Sequence, residues 1–171
     1  MMEKLVLSVL VDNESGVLQR VASLFSRRGY NISSLTVSET EDEDFSRMTI
    51  EVHTEPENFR QIKRQLQKLE IVKKVSELTD ENSVSSELLL IKVKVKGINE
   101  KNKLLAFNVK YGARVLDISL ETMTLEFTGT GETIDEFVDY IENNFGVVEL
   151  ARTGITSLHR GEGSFTENVQ D

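Results

Sequence analysis

Val11-Asp12-Asn13-Glu14-Ser15-Gly16-Val17-Leu18 is the stretch that decides the fold, and Arg28-Gly29-Tyr30-Asn31-Ile32 answers it about one helix later. Before it, Lys4 to Val11 (KLVLSVLV) is a short apolar run, β-branched enough to be a buried strand. After it, Val17, Leu18, Val21, Ala22, Leu24 and Phe25 recur at helical spacing and form one apolar stripe. Asp12 to Gly16 is therefore the turn where a strand becomes a helix. The first backbone N–H groups of that helix lack internal partners and carry the positive end of its dipole. A glycine at the mouth lets an anion approach the backbone. Asn13 on the turn and Asn31 at the start of the next strand each offer an amide donor and acceptor. One carboxylate and one ammonium group, as in a free amino acid, suit that set. Taken alone, the same residues also read as a polar turn with a helix cap.

Outward from this turn the pattern continues in order. Arg27 and Arg28 place cations at the helix C-terminus, and Gly29 is a left-handed stop. Asn31 to Ser38 reads as a second strand, Glu41 to Asp44 as an acidic loop, and Phe45 to His53 as a third strand hairpinned to the second. Thr54-Glu55-Pro56-Glu57 has the form of a capping box with proline in the first turn. Phe59, Ile62, Leu66 and Leu69 form a helical stripe, and Ile71, Val72, Val75 and Leu78 suggest a fourth strand. The order βαββαβ is the ferredoxin-like arrangement. The same order recurs beyond a polar stretch: a strand at Leu88 to Val95, a helix at Asn99 to Tyr111, a hairpin over Val115 to Leu120 and Met123 to Phe127, a helix around Ile134 to Ile141, and a closing strand at Val147 to Leu150. The expected class is α+β, two tandem ferredoxin-like βαββαβ domains. The expected division is 1–79, a linker 80–86, a second domain 87–160, and a flexible tail 161–171.

Composition removes several classes. The chain has 171 residues, no Cys and no Trp, so neither a disulfide framework nor thiolate chemistry is available. A net charge of −9 opposes nucleic-acid binding, and the third strand presents Arg47, Thr49 and Glu51 where an RNA-recognition domain needs aromatics. No apolar run approaches the roughly 20 residues of a membrane span. No basic region followed by an apolar core opens the chain, so the expected location is the cytoplasm. A soft-metal chaperone of this outline needs a Cys-x-x-Cys that is absent. Glu41 to Asp44 lacks the alternating ligands, Gly and final Glu of a calcium loop, and at most takes an adventitious divalent cation. Gly129-Thr130-Gly131 lacks the Gly-Lys-Ser/Thr of a phosphate loop and is a strand-to-helix turn. His53 and His159 have no Cys or second His at ligand spacing and no nucleophile at triad spacing, so no catalytic residue and no metal site is assigned. Lys92, Lys94 and Lys96 alternate on one strand face and read as an exposed face or a protected edge.

SVLVDNESGVLQRVASLFSRRGYNISSLTV at 8–37, SRMTIEV at 46–52 and LARTGITSLHRG at 150–161 together resemble the small, regulatory subunits of acetolactate synthase, whose first domain is an ACT domain. The resemblance implies a chain without catalytic activity that associates with a large, thiamine-diphosphate-dependent subunit in valine, leucine and isoleucine biosynthesis. It implies activation of that subunit and feedback inhibition, usually by valine. Two ACT domains are expected to pair side by side into a continuous sheet, with effectors at their interface. Carried over position by position, the implied effector residues are Val11, Asn13, Gly16, Val17, Asn31 and Ile32. Thiamine diphosphate, Mg²⁺ and FAD are expected on the large subunit only, and no cofactor here. A homodimer is expected, because one strand–helix turn leaves most of an amino acid exposed. The alternative within the same class is an amino-acid-sensing ACT-type regulator of another enzyme.

Overall fold

The computed structural model describes residues 2–167. The chain divides into two compact units, one made of residues up to Ser85 together with the segment from Ile155 onward, the other of Ser86–Gly154.

The first unit contains β1 (Glu3–Asp12), α1 (Val17–Arg27), β2 (Ile32–Glu39), β3 (Phe45–Thr54), α2 (Pro56–Leu66) and β4 (Val72–Leu78). Its antiparallel sheet has the order β2-β3-β1-β4, as βαββαβ topology demands. β1 is central and buried along nearly its whole length. Its odd positions, Leu5, Leu7, Val9 and Val11, join Val17, Val21 and Phe25 of α1 and Ile62 and Leu66 of α2 in one core. Val6, Ser8 and Leu10 point to the opposite face, and they too are buried. The cover comes from the C-terminal segment. Ile155 packs with Val6 and Leu78, and Phe165 packs with Leu10 and Phe45.

That segment corrects the expected domain limits. β9 (Thr156–His159) pairs with β5 (Ser83–Lys94), whose first residues belong to the first unit. Gly161 to Glu167, read from composition as a flexible tail, holds a buried Phe165; residues 168–171 of that expected tail lie outside the described residues. The expected 80–86 linker is a tight turn followed by strand. Asn82 Oδ1 accepts the Thr79 N–H at 2.8 Å, and Ser83 Oγ donates to the Thr79 carbonyl at 2.6 Å. Small polar residues marked the turn, but their closed hydrogen bonds make it ordered rather than loose. The capping box is also absent. Glu55 is the N-cap of α2 without a side-chain cap bond, and Thr54 Oγ1 accepts from Asn58 Nδ2 instead.

The second unit contains most of β5, then α3 (Gly97–Tyr111), β6 (Arg114–Ile118), β7 (Thr122–Gly129), α4 (Gly131–Asn144) and β8 (Gly146–Arg152), with sheet path β6-β7-β5-β8. Leu89, Ile91, Val93, Met123 and Leu125 meet Leu104, Phe107, Ile134, Phe137 and Ile141 in its core. Phe107 stacks on Tyr140 at a centroid distance of 3.8 Å and tilts against Phe137 at 5.1 Å. Lys92 lies on the open face of a central strand, 3.3 Å from Glu149, so the alternating lysines mark a face and not an edge. Among the described residues no helix is long and apolar enough to cross a membrane.

Candidate functional site

β1 ends at Asp12, whose carboxylate pairs with Lys73 at 3.1 Å. Asn13 then closes the turn against the β2–β3 hairpin. Its N–H donates to the Asp44 carbonyl at 2.8 Å, its Nδ2 to the Glu43 carbonyl at 2.9 Å and to Glu39 Oε1 at 3.2 Å. Ser46 Oγ donates to Asn13 Oδ1 at 2.9 Å. The amide is thus committed within its own unit, and Asn13 shapes the turn.

Gly16 is the N-cap of α1 with φ 87° and ψ −3°, a left-handed conformation. No atom comes within 4 Å of where a β-carbon would stand, so glycine is required for its backbone and not for lack of room. No side chain caps α1 and no acidic residue occupies its first turn. The positive end of the helix is therefore left open to an anion. Val11 and Val17 are buried in the core below the turn, and hold it from beneath.

Asn31 and Ile32 are not beside these four residues. Ile32 pairs with Val52, which pairs with Leu5, whereas Glu39 pairs with Ser46, which pairs with Val11. Ile32 is thus level with Leu5, seven residues from Asp12 along β1, or roughly 23 Å at strand rise. The six residues thus fall into two groups, level with opposite ends of β2. β2 is the end strand of its sheet and pairs only with β3 among the described residues.

Sequence reading missed two serine–histidine contacts, since their partners are remote in sequence. Ser33 Oγ lies 2.9 Å from His53 Nδ1, and Ser76 Oγ lies 2.8 Å from His159 Nε2. Neither makes a catalytic relay. Among the described residues the carboxylate nearest His53 Nε2 is Glu51 at 3.9 Å, beyond hydrogen-bond reach, so it does not orient that ring. His159 instead stacks on Phe165 at 5.0 Å, and the Phe165 ring also receives Arg47 and Lys74 at 5.3 and 5.0 Å. Burial, then the charges of Arg47 and Lys74, hold the His159 imidazole below its ordinary pKa. Among the described residues no group of three His, Cys, Asp or Glu side chains converges to hold a metal ion.

Two ferredoxin-like units, the first with an uncapped helix start beside a sheet that ends in β2, define an ACT-type protein. Residues 7–74 match the family model described as the acetolactate synthase small subunit-like ACT domain, and residues 86–161 match that of the small subunit of acetolactate synthase. The acetolactate synthase small subunit of Mycolicibacterium smegmatis is 46% identical over 91% of this chain and 90% of its own. The probable small subunit of Methanothermobacter thermautotrophicus is 41% identical over 91% and 92%. The crystal structure of the Thermotoga maritima small subunit superposes with a TM-score of 0.83 at 35% identity, covering 94% of this chain and 99% of that one. The chain belongs to the family of small, regulatory subunits of acetolactate synthase.

Proposed function

We infer that the first unit senses a branched-chain amino acid, valine foremost, and that its occupancy sets the activity of a separate acetolactate synthase catalytic subunit. The chain raises that activity when empty and confers feedback inhibition when loaded. The observation that carries this is the split site. An open helix N-terminus at Gly16, just past the end of β1, is level with one end of the edge strand β2, and Asn31 with Ile32 stands at the other. Antiparallel pairing of β2 with β2 of a second copy brings the Gly16 end of each against the Asn31 end of the other. The α-carboxylate then meets the N–H groups at the start of α1, the ammonium group meets the Asn31 amide oxygen, and a small apolar side chain meets Ile32. Two equivalent sites arise from one two-fold axis. Catalysis, with thiamine diphosphate, Mg²⁺ and FAD, is assigned to the partner subunit.

Calorimetric titration of the full chain with valine, lysine and glutamate tests this, with sedimentation velocity alongside. Valine should bind best and the chain should be at least a dimer. Equal affinity for lysine or glutamate, no heat with valine, or a monomer in the presence of valine would overturn it. The chain alone should form no acetolactate from pyruvate with thiamine diphosphate and Mg²⁺, and turnover there would reveal a missed active site.

A further inference from the structure

The two ends of β2 carry opposite charge. At its start stand Arg27 and Arg28, both exposed, and from Val17 to Ser38 the chain contains no Asp or Glu. At its other end, Glu39, Glu41, Asp42, Glu43 and Asp44 crowd the tip of the β2–β3 hairpin, all exposed. Among the described residues no ion pair within 4.0 Å engages either arginine or any of these five carboxylates. Helix-dipole complementarity explains a cation at the end of α1, and hydrogen bonds occupy Glu39, Glu41 and Asp42, but among the described residues no ion pair within 4.0 Å neutralises the five like charges on this six-residue tip.

An edge strand can meet its own copy in two symmetric ways. With a two-fold axis along the strands the copies run parallel, and acidic tip faces acidic tip. With the axis perpendicular to the sheet they run antiparallel, and each acidic tip faces the other copy's arginines. Like charges held together oppose the first arrangement, and opposite charges favour the second. We propose that Arg27 and Arg28 of one copy dock against the Glu39–Asp44 hairpin of another, twice per dimer, and that this ionic lock fixes the antiparallel pairing of β2. The inference rests on the two-copy site proposed above and names the contact that orients it. With the pairing centred between Leu35 and Thr36, Asn31 of each copy falls level with Thr40 of the other, beside the Asn13 turn.

The test is charge reversal in the full chain, read by sedimentation equilibrium at low and high salt. Glu43 and Asp44 are chosen because among the described residues their side chains hold no hydrogen bond or ion pair, unlike those of Glu39, Glu41 and Asp42. R27E/R28E alone and E43K/D44K alone should each weaken self-association about tenfold or more at low salt. An equimolar mixture of the two variants should form a heterodimer of wild-type affinity, because every reversed contact then meets its complement. Placing all four changes in one chain should restore the homodimer, which also shows that the variants fold. Wild-type dimerisation by either double variant would overturn the lock while leaving the dimer itself in place. Unchanged self-association with lost activation of the catalytic subunit would overturn it too, and assign the arginines to that subunit. A wild-type chain that stays monomeric with valine present would overturn the two-copy site beneath it.

Discussion

At the scale of the residue, Gly16 shows what a type-level reading contains and omits. A glycine before an apolar stripe marks a helix start in the sequence, but the sign of φ belongs to the folded turn. With φ at 87°, alanine at this position is strained by about 1–2 kcal/mol although space is open, whereas asparagine tolerates the conformation better. Urea midpoints should therefore fall in the order wild type, Gly16→Asn, Gly16→Ala. Gly131 is glycine for the other reason. A β-carbon there would stand 2.8 Å from Glu87 Oε1, and that buried carboxylate is held by Arg152 at 2.8 Å. Gly131→Ala should cost about 1–3 kcal/mol by overpacking, measured by the same unfolding experiment. The sequence offered Gly129-Thr130-Gly131 only as a turn, because the pressing carboxylate comes from a residue more than forty positions upstream. The bonds of Asn13 were hidden likewise, since their acceptors and donor lie at Glu39, Glu43 and Ser46.

At the scale of the element, periodicity located each strand and helix of both βαββαβ units, and it failed at the C-terminal segment. β9 is four residues long and Phe165 stands alone, too little for any period to register. The indirect signal was in β1. A central strand apolar at Val6 and Leu10 as well as at its odd positions must be covered on both faces, and nothing within the first 79 residues supplies a second layer. Truncating Phe165 to alanine should therefore destabilise the first unit by about 3 kcal/mol, seen as a lower chemical-denaturation midpoint. The same segment should respond to pH. Arg47 on β3 and Lys74 on β4 face the His159–Phe165 pair, while Ser76 hydrogen-bonds the imidazole. Since the folded-state pKa of His159 lies below the ordinary imidazole value of about 6.5, the unfolded chain takes up a proton first on acidification. Its contribution to stability is full above about pH 6.5 and falls as pH drops toward the folded value. Glu41, whose pKa is lowered chiefly by the Thr166 hydroxyl, adds a small, solvent-screened loss in the same direction as pH falls below the ordinary carboxylate range. His159→Gln should remove the loss of stability that sets in as pH falls below about 6.5 and leave the loss due to Glu41, checked by urea melts at a series of pH values.

At the scale of the whole molecule, the sequence names candidate residues but not where the fold places them. Asn13 and Asn31 look like neighbours in a list, because both flank one helix. That helix of eleven residues is itself what holds them apart, by roughly 16 Å at helical rise. Only the sheet register, absent from any local pattern, places them at opposite ends of β2. A site divided in this way makes a prediction that a site within one chain does not. In the proposed two-copy site, Gly16→Asp puts a carboxylate where the effector carboxylate would bind, and Asn31→Ala removes the amide that would face it from the other copy. Each homodimer carries the same defect in both of its sites and should lose valine binding by about tenfold or more. In a mixed dimer, one site collects both substitutions and the other collects neither. An equimolar mixture, unfolded and refolded together or allowed to exchange subunits, should thus recover wild-type affinity at about a quarter of the wild-type stoichiometry, because half the dimers are mixed and half their sites intact. Calorimetry gives affinity and stoichiometry in one titration, and far-ultraviolet circular dichroism of each variant confirms that the strained Gly16→Asp turn still folds. A mixture that binds no better than its two components places both residues in one chain's site, and the two-copy arrangement then fails.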